Sequence, residues 1–334
     1  MHMSDALVSP PVFAAAGVVS LALLGVAIRK ISRADRSPDG PAERRERLLP
    51  LMGVMGAFVF AAQMINFSIP GTGSSGHLVG GILLAALLGP WAALLTLASV
   101  LILQCLLFAD GGFMALGCNI LNMAVLSCLV AYPLVFRPLM KPDASVGRIF
   151  AASLLASIAG LQLGALAVTI ETEASGITAL PTGRFLMFML PIHLFIGIGE
   201  GLATGVVLSA VRKYRPELLA DVRPTRRSRS DGSRRKFGMT LAAFALAALL
   251  IGGSFSWLAS SDPDGLEWSI EKITGSTDLE AAPDGLHRSA ASLQQKTALI
   301  PDYDTSLAGL IGTGAILLVV FGASYLFRTG QNKS

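Results

Sequence analysis

Residues 11–28 read PVFAAAGVVSLALLGVAI, eighteen positions without a charge. A helix rises about 1.5 Å per residue and the hydrocarbon layer of a bilayer is about 30 Å thick, so a run of this length is a membrane span. Eight more apolar runs follow, at about 51–68, 77–89, 91–108, 113–136, 147–170, 185–211, 238–258 and 306–327. The composition agrees. The chain is 53% hydrophobic and 14% charged, with a mean hydropathy of +0.63. A soluble domain carries about 25% charged residues. Lipid offers no partner to a backbone N–H or C=O, so spans must be helical or closed barrels. Barrel strands alternate apolar and polar residues over about ten positions, and these runs do not. The expected class is an all-α integral membrane protein.

Charge sets the expected topology. The connectors 29–47, 137–148, 212–236 and 328–333 hold 22 of the 26 Lys and Arg residues. If the spans alternate, all four lie on one side. The other side holds Arg184, Lys272, Arg288 and Lys296. Basic residues stay cytoplasmic, which puts the N-terminus outside and the C-terminus in the cytoplasm of a multi-pass cell-membrane protein. The first span has no basic leader or clear cleavage site, so the terminus is expected to remain in the mature chain. The pI of about 9.1 is then an orientation signal, with anionic lipid as the partner and no nucleic acid.

The same connectors divide the chain. Residues 1–212 form an expected seven-span core, 213–236 a basic, Ser- and Arg-rich cytoplasmic linker, and 237–334 a two-span unit with an outer loop, 259–305. That loop contains PDGLE (263–267) and again PDGL (283–286). Pro-Asp-Gly turns the chain, and Asp264 with Glu267 three residues on has the spacing of a helix-capping box. A calcium loop needs more oxygen ligands in tighter register. Cys105, Cys118 and Cys128 lie inside apolar runs, without the spacing of a zinc site or a disulfide framework.

The remaining chemistry lies in a few polar residues. His2 and His77 both fall on the outer side, His77 in the glycine-rich IPGTGSSGHLVGG (69–81). Taken alone, a loop histidine is a solvated residue. His2 alters that weighting. The Met1 amine, the His2 amide nitrogen and the His2 imidazole Nδ1 can chelate one ion through five- and six-membered rings. A second imidazole such as His77 would complete a nitrogen square, a geometry that suits Ni(II) or Cu(II) and not zinc or magnesium. Within the spans, Gln63 with Asn66 and Asn119 with Asn122 are three apart, and His193 with Glu200 seven apart, each pair expected on one helix face. Amides there serve interhelical bonding; His193 and Glu200 are equally open to a functional reading. Gly53, Ala57 and Ala61 form a small-residue stripe that could face a neighbouring span or a partner subunit.

Together MH, FVFAAQMINFSIPGTGSSGHLVGG, LLGPWAA, FADGGFMALGCNILNM and PIHLFIGIGEG resemble the nickel/cobalt substrate-binding (S) components of energy-coupling factor transporters, NikM or CbiM. Residues 237–334 resemble the small two-span N component, fused behind. The resemblance implies a seven-helix S-component bundle plus a two-helix unit, a transport role and no catalysis. It implies Met1, His2 and His77 as ligands for a transported Ni(II) or Co(II), with no resident cofactor. It also implies partners: a transmembrane coupling subunit, for which Gly53, Ala57 and Ala61 are candidate contacts, and two cytoplasmic ATPases, since this chain has no Walker motif. The fused arrangement inclines the reading to nickel. In the family the terminus usually continues with Pro, an acidic residue and Gly, where this chain has Met3-Ser4-Asp5-Ala6. Two other classes compete. One is a membrane sensor or assembly protein with an acidic outer domain; the other is a proton-coupled secondary transporter using His193 and Glu200.

Overall fold

The computed structural model describes residues 1–36, 42–141, 144–220, 231–254, 259–277, 279, 284–298, 300 and 309–318. The linker stretch 221–230 and the ends of the ninth expected span, 306–308 and 319–327, lie outside them. The described chain is helical throughout, apart from one two-stranded hairpin. Its helices are α1 (Pro10–Arg36), α2 (Ala42–Gln63), α3 (Gly81–Leu88), α4 (Pro90–Phe108), α5 (Leu116–Leu139), α6 (Val146–Ser175) and α7 (Thr182–Tyr214). The carboxyl-terminal unit adds α8 (Asp231–Gly253), α9 (Gly265–Thr274), α10 (Gly285–Thr297) and α11 (Gly309–Leu318). Six of these helices are long and apolar enough to cross a membrane.

Local chemistry sets the boundaries. The Ser145 hydroxyl accepts from Arg148 N at 3.3 Å to start α6, and Gly176, with φ of +62°, ends it. Gly89, with φ of +83°, and Pro90 separate α3 from α4. The second expected span is shorter than its apolar run: α2 stops at Gln63, and residues 67–69 form the first strand of the hairpin, β1 (Phe67–Ile69) with β2 (Ser74–Gly76). Asn66 therefore lies past the helix and shares no face with Gln63.

Helices α6 and α7 pack along most of their length. An added Cβ at Gly201 would lie 2.5 Å from Leu154 Cα, and one at Gly197 2.9 Å from Ile158 Cα, so glycine is what lets the two backbones approach. Helix α2 is enclosed by the chain itself. Gly56 lies against Thr96 of α4 and Ile316 of α11, and Phe58 meets Phe244 of α8 edge-on at 5.4 Å. Gly53, Ala57 and Ala61 are all buried. The stripe thus packs inside this chain, against its own neighbouring helices. Large apolar side chains face outward on α1, where Val18 is 67% and Leu21 70% exposed. Such a face suits lipid. Cys105, Cys118 and Cys128 are buried and free, as their setting implied.

The connectors gather at two ends. At one, the amino terminus meets the hairpin, the loop after α4 and the starts of α9 and α10. At the other, Ala220 N bonds Ala86 O at 2.8 Å, and the Lys30 ammonium lies 4.5 Å from the Trp91 ring. This is the grouping that alternating spans require.

Candidate metal-binding site

Residues 1–9 do not fray. They run into the bundle and are held by side chains from three helices. Asn119 of α5 pairs with the Met3 backbone in both directions, Oδ1 accepting from Met3 N at 2.8 Å and Nδ2 donating to Met3 O at 3.2 Å. Asn122, one turn on, donates to Met3 Sδ at 3.5 Å and to Glu171 at 2.6 Å. Asp5 Oδ1 accepts from Met114 N and Ala115 N, at 2.8 and 3.0 Å. The two asparagines do share a face, and what they bind is the terminus.

That path brings His2 to His77. Their rings stack with centroids 5.2 Å apart and planes 21° from parallel. His77 follows the hairpin and precedes α3, whose start is fixed from α7. Glu200 accepts from Val79 N at 2.8 Å and from Gly80 N at 3.2 Å, a carboxylate on the amino end of a helix. Gly80 has φ of +78°, and an added Cβ would press on Val59. Gln63 donates to Val79 O at 2.9 Å and accepts from Gln104 at 2.8 Å.

The third side comes from the carboxyl-terminal unit. Asp264 is the cap of α9 in a complete capping box with Glu267. Its Oδ1 serves the helix, accepting from Leu266 N and Glu267 N, while its Oδ2 accepts from the Met1 amine at 2.5 Å. Ser75 N donates to Pro263 O at 2.8 Å and Trp268 Nε1 to Thr72 O at 3.0 Å, tying this turn to the hairpin. One cavity is lined by Met1, Gly76, His77, Val79, Leu161, His193, Ile196, Asp264 and Gly265. His193 Nδ1 donates to Met189 O at 2.8 Å, so its Nε2 carries the lone pair; that atom is buried without a partner among the described residues.

Electrostatics keep both imidazoles uncharged. Burial, then the Met1 ammonium, lowers His2 from 6.5 to about 3 and His77 to about 4. A neutral ring has a lone pair to offer an ion. His77 Nδ1 lies 3.1 Å from Leu78 O, an acceptor, which leaves Nε2 as its free lone pair. His2 Nδ1 lies 3.1 Å from Asp110 Oδ1. Burial works against a charge on Asp264, but the Met1 ammonium and the hydrogen bonds from it and from Glu267 N together outweigh that and hold this carboxyl below its ordinary value. Among the described residues no three His, Cys, Asp or Glu side chains converge on one point. A site of two imidazoles plus two backbone nitrogens needs no such cluster.

Two carboxylates beside the imidazoles were not read from the sequence as part of a site. Asp110 had a signal: it is the only Asp, Glu, Lys or Arg between Arg47 and Arg137, and a lone charge in apolar sequence is costly unless used. Asp264 was legible as a cap; nothing local points it at Met1.

Known proteins similar to this chain carry names of metal transport proteins. Residues 2–218 match the CbiM family, described as the cobalt uptake substrate-specific transmembrane region, and residues 238–329 match the PDGLE domain. The fused nickel transport protein NikMN of Rhodobacter capsulatus is 30% identical over 354 residues, covering 98% of this chain and 95% of that one. A relative from Archaeoglobus fulgidus that carries the same NikMN name is 31% identical over 333 residues, 98% of this chain and all of the other. The crystal structure of a truncated transition metal transporter superposes with a TM-score of 0.53 at 30% identity, covering 64% of this chain and 99% of that chain.

Proposed function

This chain belongs to the CbiM family of cobalt uptake substrate-specific transmembrane regions, with a PDGLE domain behind it, and from that premise we propose that it is the substrate-binding membrane subunit of an ATP-driven importer of the energy-coupling factor type. It captures Ni(II), or Co(II), at the outer face. The observation that carries this reading is the meeting of the Met1 amine, His2 and His77 at one end of the bundle. The basic connectors belong to the opposite end by span alternation, which supports an outer location for the site.

In the loaded state the Met1 amine, the His2 amide nitrogen, His2 Nδ1 and a His77 nitrogen surround the ion in a square. Two contacts must yield to it: the Met1 ammonium leaves Asp264 and releases a proton to water, and His2 Nδ1 leaves Asp110 as its proton passes to Nε2; the His2 amide gives its own proton to water to bind. Both carboxylates stay beside the site and balance the incoming charge. Asn119, Asn122 and Asp5 keep the terminus in register meanwhile, so little ordering entropy remains to be lost on binding. Transport to the cytoplasm requires a coupling subunit and two ATPase subunits, because no phosphate-binding loop exists here. Metal analysis of the purified chain tests the capture step. One nickel or cobalt per protein is expected after growth or dialysis with the ion, and none at saturating metal would refute it.

A further inference from the structure

The outer helical pair grips the amino-terminal segment at a second point, away from the nitrogens that take the metal. Helix α10 begins at Asp284, whose Oδ1 accepts from His287 N at 2.8 Å. The other oxygen, Oδ2, lies 2.8 Å from His287 Nδ1. Across the ring, His287 Nε2 lies 3.1 Å from Asp5 O and 3.0 Å from Val8 O. The residue is 2% exposed. A carboxylate and backbone carbonyls accept hydrogen bonds and cannot donate them. Both ring nitrogens therefore face acceptors only, and every contact is made only when both carry hydrogen. A neutral ring would set a lone pair against Asp284 or against the two carbonyls.

We propose that His287, as the imidazolium, is the latch that holds the outer helical pair on residues 5–8, and thereby positions the amino terminus for metal capture. The latch stands on its own contacts; its consequence for capture rests on the reading of Met1 and His2 given above. Gln294 reinforces it one face along, donating to Gly111 O at 2.7 Å and Cys105 O at 3.1 Å beside Asp110.

The charges around the ring favour its cation. Asp284 is on its own helix, and the Asp5 carboxylate acts on it from the facing turn. Asp110, on the adjoining loop, faces His2, and Arg288 and Lys296 of α10 are exposed. Burial opposes the charge, but Asp284 and the Val8 and Asp5 carbonyls outweigh it and raise His287 above 6.5. A group raised in this way stabilises the closed form fully below its free value, and that contribution is lost as pH rises through the raised one.

The test is a distance measurement on the metal-free full chain, with nitroxide labels at Ser4→Cys and Ser289→Cys, both exposed sites, the three native cysteines being buried. Between about pH 6 and about pH 9, which brackets a raised imidazole, the wild type should pass from one short distance to a mixture with a longer one. His287→Gln should show no pH dependence across that range. Asp284→Asn, which removes the favourable carboxylate, should move the transition to lower pH. A wild-type distribution that does not change with pH, or a His287→Gln variant that shifts as the wild type does, overturns the latch. If His287→Gln fails to fold, an unmoved midpoint in Asp284→Asn overturns it instead. The nickel association rate of the wild type, relative to His287→Gln, should fall as pH rises; a constant ratio overturns the positioning role. Absence of nickel binding in all forms would count against the capture reading and leave the latch intact.

Discussion

The Met1 amine and the Asp264 carboxylate lie 2.5 Å apart, though 263 positions apart in sequence. One oxygen of Asp264 caps α9 and the other holds the amine, so one side chain ties the start of α9 to the start of the chain.

Asp264→Ala should therefore destabilise the metal-free protein on two counts. Loss of a cap costs about 1 kcal/mol. Stripping the partner from a buried cation costs about 3–5 kcal/mol, and Met1 is 4% exposed. Asp264→Asn keeps an oxygen for the cap and loses the charge, so it should fall between. Thermal unfolding in detergent checks this; a wild-type melting temperature in Asp264→Ala would mean the contact stabilises nothing.

If Met1 supplies its amine to the ion, extending the chain should abolish binding while leaving every side chain in place. Gly-Ser added ahead of Met1 turns the amine into an amide and crowds a buried terminus. His2→Ala keeps the amine and removes the imidazole. Both should bind no nickel, and a tag after Ser334 should be harmless. Bound nickel per protein decides it, and full occupancy of the extended form would eliminate the amine as a ligand.

On the proposed coordination, His77→Ala removes one of four nitrogens. A loss of about 3 kcal/mol corresponds to roughly a hundredfold weaker Kd, and uptake at low nickel should fail with it. Calorimetry on the folded variant gives the answer. Near-wild-type affinity would exclude His77 from the coordination sphere.

His2 and His77 have folded-state values of about 3 and about 4 against an ordinary 6.5. Values depressed in this direction mean that the unfolded chain binds protons the folded one refuses. Stability is unaffected above 6.5 and falls as pH drops toward those values. Ring resonances of both residues should stay those of neutral imidazole at about pH 5.5, a full unit below the ordinary midpoint. Titration of either ring near 6.5 would contradict the buried, uncharged pair. His287 has the opposite sign.

On the proposed orientation, the 22-to-4 division of basic residues predicts a cytoplasmic carboxyl terminus. A reporter active only in the cytoplasm, fused to Ser334, should be active. An inactive but well-expressed fusion would reverse the orientation and with it the side on which metal is captured.

Apolar run length was enough to identify a helical membrane protein, because it is a local sum over composition. His2 and His77 were legible as candidates for the same reason: chelate ring size at a chain end is set by covalent geometry. Contacts between distant segments were not legible. No period in the sequence marks Asn119 and Asn122 as holding Met3, or Asp264 and His287 as gripping residues 1–8, since such pairings depend on where the bundle delivers each segment. The same limit applies to the apolar run at 51–68. Hydropathy cannot tell a helix from a strand whose polar edge is covered, and only docking against Pro263 and α7 decided that Phe67–Ile69 would be a strand. Gly53, Ala57 and Ala61 could pack against any helix. The fold enclosed them in this chain, because the carboxyl-terminal unit packs back against α2.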